Sequence, residues 1–335
     1  MTRRRIRLTS LAVFLAMGTQ AASTSSIGSS LIRRGEASSV KPPVRNNAVS
    51  SYDAVPNGIV FCLRDSTLLK VEVCADDIIR VVHTPKTSIP DARSLVVVRD
   101  SWGSVQWKRH LTQNSVSLIT SRIEARVALS NGSVTFYDAQ GRLVLGEKNH
   151  GRALLPVTIQ GQAAYSGILQ FDSPREEGIY GFGHFPGSPG DGKLDQRNVE
   201  LTLVQENTRD AVPVFLSTRG YGVLLHTYSR IDKHAPLDFT IDWLWNDAID
   251  YYFMYGPGFD RVISSYRFLT WAAPLFPKWA YGLWLSRCRA YWHDQKGDID
   301  VVRKHRELKI PIDNFVKPIR EPYSPSWFGV DVSQI

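Results

Sequence analysis

The stretch IVFCLRDSTLLKVEVCADDIIRVVH, residues 59–83, decides the architecture. Its apolar residues come in short, β-branched, alternating runs, with Asp65-Ser66-Thr67 as a reversal between IVFCLR and LLKVEVCA, which is the pattern of half-buried antiparallel strands rather than of helices. The same grammar recurs in SLVVV, SVSLIT, RIEARVAL, SVTFYD, AVPVFL, YGVLLH and DYYFMY. Asn131-Gly132, Gln140-Gly141-Arg142 and Arg219-Gly220-Tyr221 supply the tight turns between them. So many short strands without interleaved helices over residues 56–275 predict a mainly β fold built on one large antiparallel β-sandwich.

A hairpin folded about Ser66 sets Cys62 opposite about Lys70, several residues from Cys74, so the two are expected as unbridged, buried thiols. Three cysteines in all, with no C-x-x-C or His-x-x-x-His spacing, give no support to a metal site, and no cofactor is expected.

Outside this block the composition changes. Residues 1–45 carry Arg3, Arg4, Arg5, Arg7, Arg33, Arg34, Lys41 and Arg45 against Glu36, a net +7. The whole chain of 335 residues has a net +8, so +1 remains for the other 290 and no basic face for nucleic acid is expected. A basic start, an apolar run from Leu11 to Met17 and the small residues Ala21 and Ala22 have the layout of a cleaved secretory signal over residues 1–22, which predicts export to the periplasm or medium. That run is too short to span a bilayer, so no membrane anchor is expected after cleavage. Residues 23–55, rich in Ser, Ala, Gly, Pro and Asn, read as a flexible leader.

At Pro274 the pattern changes again. Trp279–Leu285 reads as an apolar strand, 298–308 as a helix with Ile299, Val302 and Leu308 inward, and Ile310–Val316 as a second strand. Together they make a β-α-β unit, the repeat of parallel sheets and (β/α)8 barrels. Domain limits follow: sandwich 56–275, the start of a barrel 276–316, and a divergent tail 317–335.

Several short motifs then occur in one order: Tyr180-Gly181-Phe182-Gly183, Gln205-Glu206-Asn207-Thr208, Pro213-Val214-Phe215, Arg219-Gly220-Tyr221-Gly222, Tyr251-Tyr252-Phe253, Tyr255-Gly256-Pro257, Tyr266-Arg267 and Pro277-Lys278-Trp279-Ala280-Tyr281-Gly282. Over residues 56–316 this order resembles glycoside hydrolase family 31, in particular its α-xylosidase-like members. The resemblance implies a galactose-mutarotase-like sandwich leading into a (β/α)8 barrel, and retaining cleavage of α-xylosidic or α-glucosidic bonds in carbohydrate by two aspartates. Such a pair faces across the bond about 5 Å apart. In the family both stand on later barrel strands, and no residue of this chain matches either motif, so no catalytic residue is assigned. After Ile310–Asp313 the run VKPIREPYSPSWFGVDVSQI departs from the family pattern. Pro318, Pro322 and Pro325 contradict a central strand, which suggests a shifted frame or an interruption after about Val316.

By the same resemblance, the loop after the first barrel strand borders the sugar pocket. Arg287 and Arg289 there are expected to hydrogen-bond sugar hydroxyls and Tyr291 to stack on a pyranose face, the alternative being a solvated loop whose aromatics only pack. A sandwich loop reaches the same pocket in the family, and its nearest match is Asp195-Gln196-Arg197-Asn198, which makes Asn198 a fourth candidate. DWLWNDAIDYY carries Asp242, Asp247 and Asp250 among aromatics. Asp242 and Asp250 lie about 26 Å apart if extended, so Asp247 is expected in a turn and the other two on solvent-facing positions.

Overall fold

The computed structural model describes residues 47–99, 101–186, 192–206, 209–286 and 295–316. The chain divides into two compact units, which among these residues are 47–271 and 272–316.

The first unit is two facing antiparallel sheets. One runs in the order β1 (Val49–Val55), β2 (Gly58–Leu63), β3 (Leu68–Ala75), β4 (Ile78–Thr84), β17 (Ile249–Tyr255), β14 (Tyr221–Leu225), β13 (Asp210–Ser217) and β11 (Ile179–His184). The other runs β12 (Leu201–Leu203), β15 (Ile231–His234), β16 (Asp238–Ile241), β10 (Gln162–Asp172), β9 (Leu143–Ile159), β8 (Val134–Asp138), β7 (Ile123–Ala128), β6 (Ser115–Ile119) and β5 (Lys108–Leu111). The expected mainly β sandwich is therefore present, with the Gly132, Gly141 and Gly220 turns all at positive φ. In β7 every second residue, Ile123, Ala125 and Val127, is buried, as a strand facing another sheet requires. Aromatic rings bridge the sheets: Phe136 of β8 stacks on Phe253 of β17 at 4.0 Å, and Phe215 of β13 stacks on Phe239 of β16 at 5.8 Å. A buried ion pair also lies there. Glu147 holds Arg152 at 2.5 Å and accepts from Val134 N and the Tyr251 hydroxyl, which answers the charges it buries.

Four details differ from the sequence expectation. Residues 49–55, assigned to the flexible leader, form β1, because Ser51 to Val55 pair with β2 in unbroken register after a shift between Val49 and Ser51. Cys62 lies opposite Leu68, since the hairpin reverses one residue earlier than assumed. It is only partly buried, while Cys74 is buried and its thiol is pushed up in pKa by that burial. The third difference is α1 (Phe259–Thr270), a helix where only strands were expected. It buries Val262, Ser265 and Leu269 on one face, packed against β14 and β17.

In the second unit β18 (Trp284–Ser286) and β19 (Asn314–Val316) pair in parallel around α2 (Gln295–Glu307), so the β-α-β connection is as read. The fourth difference is here: Lys278–Tyr281 is a 3-10 turn, and the first strand is confined to three residues. Trp279, Tyr281 and Leu283 are exposed, and so are Ile299 and Leu308, which the sequence placed inward; among the described residues this unit has no second layer to cover them. No helix of the described residues is long and apolar enough to cross a membrane.

Candidate functional site

Arg287, Arg289 and Tyr291 lie outside the described residues, as do the signal segment and the tail. Asn198 is described. It is exposed on the loop between β11 and β12, and the loop is anchored from below. Asp195 closes it with an Asx turn, accepting from Arg197 N and from Ile179 N, both at 3.0 Å. Arg197 reaches back to Ser173 O at 2.9 Å and touches Asn198 Oδ1 at 3.0 Å.

Beneath them Lys233 of β15 donates to Arg197 O at 3.0 Å and Val199 O at 2.8 Å. Its burial pushes the ammonium down to about 8, against the opposing pull of Glu200 and Asp195. The loop that carries Asn198 is thus held through two of its own carbonyls and the side chains of Asp195 and Arg197, with Gln196 and Val199 buried and Asn198 left outward. The lysine had no signal in the sequence beyond a polar residue at an inward strand position.

The carboxylates of the DWLWND stretch divide. Asp247 sits in a 3-10 turn (Trp245–Asp247) and Asp242 is exposed, as expected. Asp250 is not: it is buried on β17, paired by Arg80 Nε at 3.0 Å and Nη2 at 2.7 Å. The expectation of a solvent-facing position fails because Arg80 lies on the neighbouring strand β4, 170 positions away in sequence, opposite Tyr252 and so diagonal to Asp250, within reach of its carboxylate. Burial alone would raise the Asp250 carboxyl, but Arg80 and His226 outweigh it and hold it at about 2.

His226 completes a constellation with the outline of a hydrolytic triad. Its Nδ1 lies 2.7 Å from Asp250 Oδ2, and its Nε2 lies 2.7 Å from Ser94 Oγ. Asp250 only accepts, so Nδ1 carries the proton and Nε2 accepts from the serine. Chemistry then stops short. Ser94 Oγ accepts from Val96 N at 3.1 Å and Val97 N at 2.8 Å, which occupies both lone pairs a nucleophile would use. The Leu95 N–H is taken by the Tyr228 hydroxyl at 2.6 Å, so these amides offer nothing to an oxyanion. This network holds a loop and does not attack a carbonyl. Nor is a proton donor tuned among the described residues: the carboxyls there whose pKa is displaced, those of Glu124, Asp138, Glu200 and Asp250, are all displaced downward. Among the described residues no group of three or more His, Cys, Asp or Glu is placed to hold a metal.

The two-sheet antiparallel sandwich, followed along the sequence by a parallel β-α-β unit, defines a mainly β domain that leads into a β/α one. Comparison with known proteins gives it a family. Residues 68–232 match the glycosyl hydrolase 31 N-terminal galactose mutarotase-like domain, and the chain belongs to glycoside hydrolase family 31 through that domain. It is similar to an α-xylosidase of Saccharolobus solfataricus, 33% identical over 257 residues, covering 74% of this chain and 34% of the relative. An α-glucosidase of Bacillus thermoamyloliquefaciens is 26% identical, with 74% and 32% covered. The fold is shared with the family 31 α-xylosidase of Xanthomonas citri at a TM-score of 0.68 and 20% identity, covering 79% of this chain and 45% of that one. The chain spans about a third of the length of these two curated relatives.

Proposed function

We propose that this chain is the sandwich-bearing part of an α-glycosidase of the α-xylosidase or α-glucosidase type, that its sugar is an α-linked xylosyl or glucosyl oligosaccharide, and that these 335 residues do not themselves break the bond. The 33% identity to an α-xylosidase across 257 residues carries the reading. Retaining hydrolysis needs one carboxylate as nucleophile and a second, protonated one about 5 Å away. The displaced carboxyls described above are all stabilised as anions, which suits salt bridges and not proton donation.

Its test is an assay of the purified chain on aryl α-xylosides and α-glucosides. No release of the aryl group is expected, and turnover abolished by substituting a residue of this chain would overturn the reading. A second reading, a noncatalytic carbohydrate-binding sandwich, draws on the anchored loop with its exposed Asn198. Saturable binding of xyloglucan fragments that is lost in Asn198→Ala, Arg289→Ala or Tyr291→Ala would favour it. Export through residues 1–22 belongs to the same proposal, and finding the protein in the cytoplasm of its host with residues 1–22 retained would sink that part.

A further inference from the structure

A second surface of the sandwich has the build of a sugar site, on a different loop from Asn198. The segment Asp242–Ala248 joins β16 to β17, and within it Leu244 is buried while Trp243 on one side is 51% exposed and Trp245 on the other is half-buried. Tyr228, 40% exposed, meets Trp245 edge to face at 4.7 Å between centroids and 67° between planes. The two rings therefore make a corner, one a floor and the other a wall.

The corner is rigid. Leu244 N donates to Tyr165 O at 2.7 Å, and the leucine side chain lies directly over Gly167, where a Cβ would come within 2.8 Å of it. Thr84 donates to Asp247 O at 3.0 Å. Behind the rings, His226 stands edge-on to Trp245 at 5.2 Å, and the Tyr228 hydroxyl is fixed by Leu95 N. The Asp250–His226–Ser94 chain, which lacks the means to be a nucleophile, has here a use: it sets the backs of both aromatic rings. Asn246 and Asp247 both adopt positive φ, 58° and 53°, a conformation more costly than extended backbone and one that holds Asn246 at the turn's crest.

Charge selects the ligand. Lys86 pairs with Asp247 at 3.2 Å, and Arg230 pairs with Asp232 at 3.0 Å and Asp242 at 3.5 Å, so each charge around the rings has a partner and the one carboxylate in excess disfavours an anion. Aromatic faces edged by paired, planar hydrogen-bonding groups suit a ligand that has an apolar C–H face and a hydroxyl rim and carries no negative charge. That description is a pyranose. We propose that Tyr228, Trp243 and Trp245, with the Asn246 amide, bind one or two sugar rings of a neutral oligosaccharide, apart from the loop that carries Asn198. The choice of sugar as ligand rests on the function proposed above.

The test is a titration of the full chain with isomaltotriose, maltotriose and a xyloglucan heptasaccharide, read by tryptophan fluorescence and by calorimetry. At least one is expected to bind saturably with a Kd of roughly 1 mM or tighter. Trp245→Ala should weaken it by about tenfold or more, a loss of about 1.4 kcal/mol, with Trp245→Phe restoring part and circular dichroism unchanged. Trp271→Ala, an exposed indole elsewhere, should leave it within about twofold. Three results overturn the proposal: no binding by any of the three sugars, binding indifferent to Trp245→Ala, or concentration-dependent self-association abolished by Trp245→Ala, which would make the corner an interface between copies. The aryl glycoside assay is independent of all three: turnover there would remove the noncatalytic reading and leave the corner standing, while a silent assay with unchanged Trp245→Ala binding would remove only the corner.

Discussion

Asp250 shows how little of a buried charge can be read from its own neighbourhood. Strand alternation pointed it to solvent and the structure buries it, because its partner Arg80 sits on a strand whose pairing with β17 no local pattern announces. Removing the carboxylate would leave the guanidinium on the sheet without its bidentate partner and His226 without its acceptor. Asp250→Ala is therefore expected to cost about 3–5 kcal/mol in urea unfolding. The pH dependence has a definite sign. With a folded value of about 2 against 3.8 in the unfolded chain, the carboxylate stabilises the fold above pH 3.8 and that contribution fades as the pH falls to 2. The difference in stability between wild type and Asp250→Asn should be level above about pH 4.5 and shrink below it. A difference that stays level down to pH 2 would mean that the ion pair contributes nothing.

At the scale of elements, strands were legible where one face is buried and the other wet, because period two is then written into the residues. The helix α1 was not, since Val262, Ser265 and Leu269 mark a narrow stripe with a serine in its middle, which apolar periodicity alone passes over. Its seat explains a glycine instead. A Cβ on Gly222 of β14 would fall 2.5 Å from Val262 Cγ1, so the helix rests on bare backbone. Gly222→Ala should destabilise the protein by about 1–3 kcal/mol through overpacking. In a Val262→Ala background the same change should cost clearly less, since the clash is relieved; equal costs in both backgrounds would separate the glycine from the helix. The strand at Trp279–Leu285 shrank for a related reason. Apolar residues propose a strand, but pairing decides its length, and among the described residues β18 has only β19 beside it.

For the whole molecule the question is whether the sandwich is a finished body. Its four edge strands answer in different ways. The edge strand β5 is short and carries Lys108, Arg109 and His110, all exposed; β12 has three residues; β1 and β11 are broken by register shifts, the latter with Gly181 and Gly183 at positive φ. Charges, brevity and bulges are the devices that stop an open edge from recruiting another chain. The aromatic ladder through Phe136, Phe253, Tyr251 and Phe171 closes the core between the two sheets without drawing on residues beyond Trp271. A segment of residues 47–271 expressed alone should thus be monomeric and unfold in one cooperative thermal transition, within a few degrees of the full chain. Gradual melting, or assembly through its edges in sedimentation, would show that the sandwich depends on residues outside it. The second unit makes the opposite case, with Trp279, Tyr281 and Leu283 exposed around a two-stranded sheet. Two strands and a helix rarely hold together in water without further cover, so residues 272–316 alone should show no cooperative transition, and finding one would mean that this unit closes a core of its own.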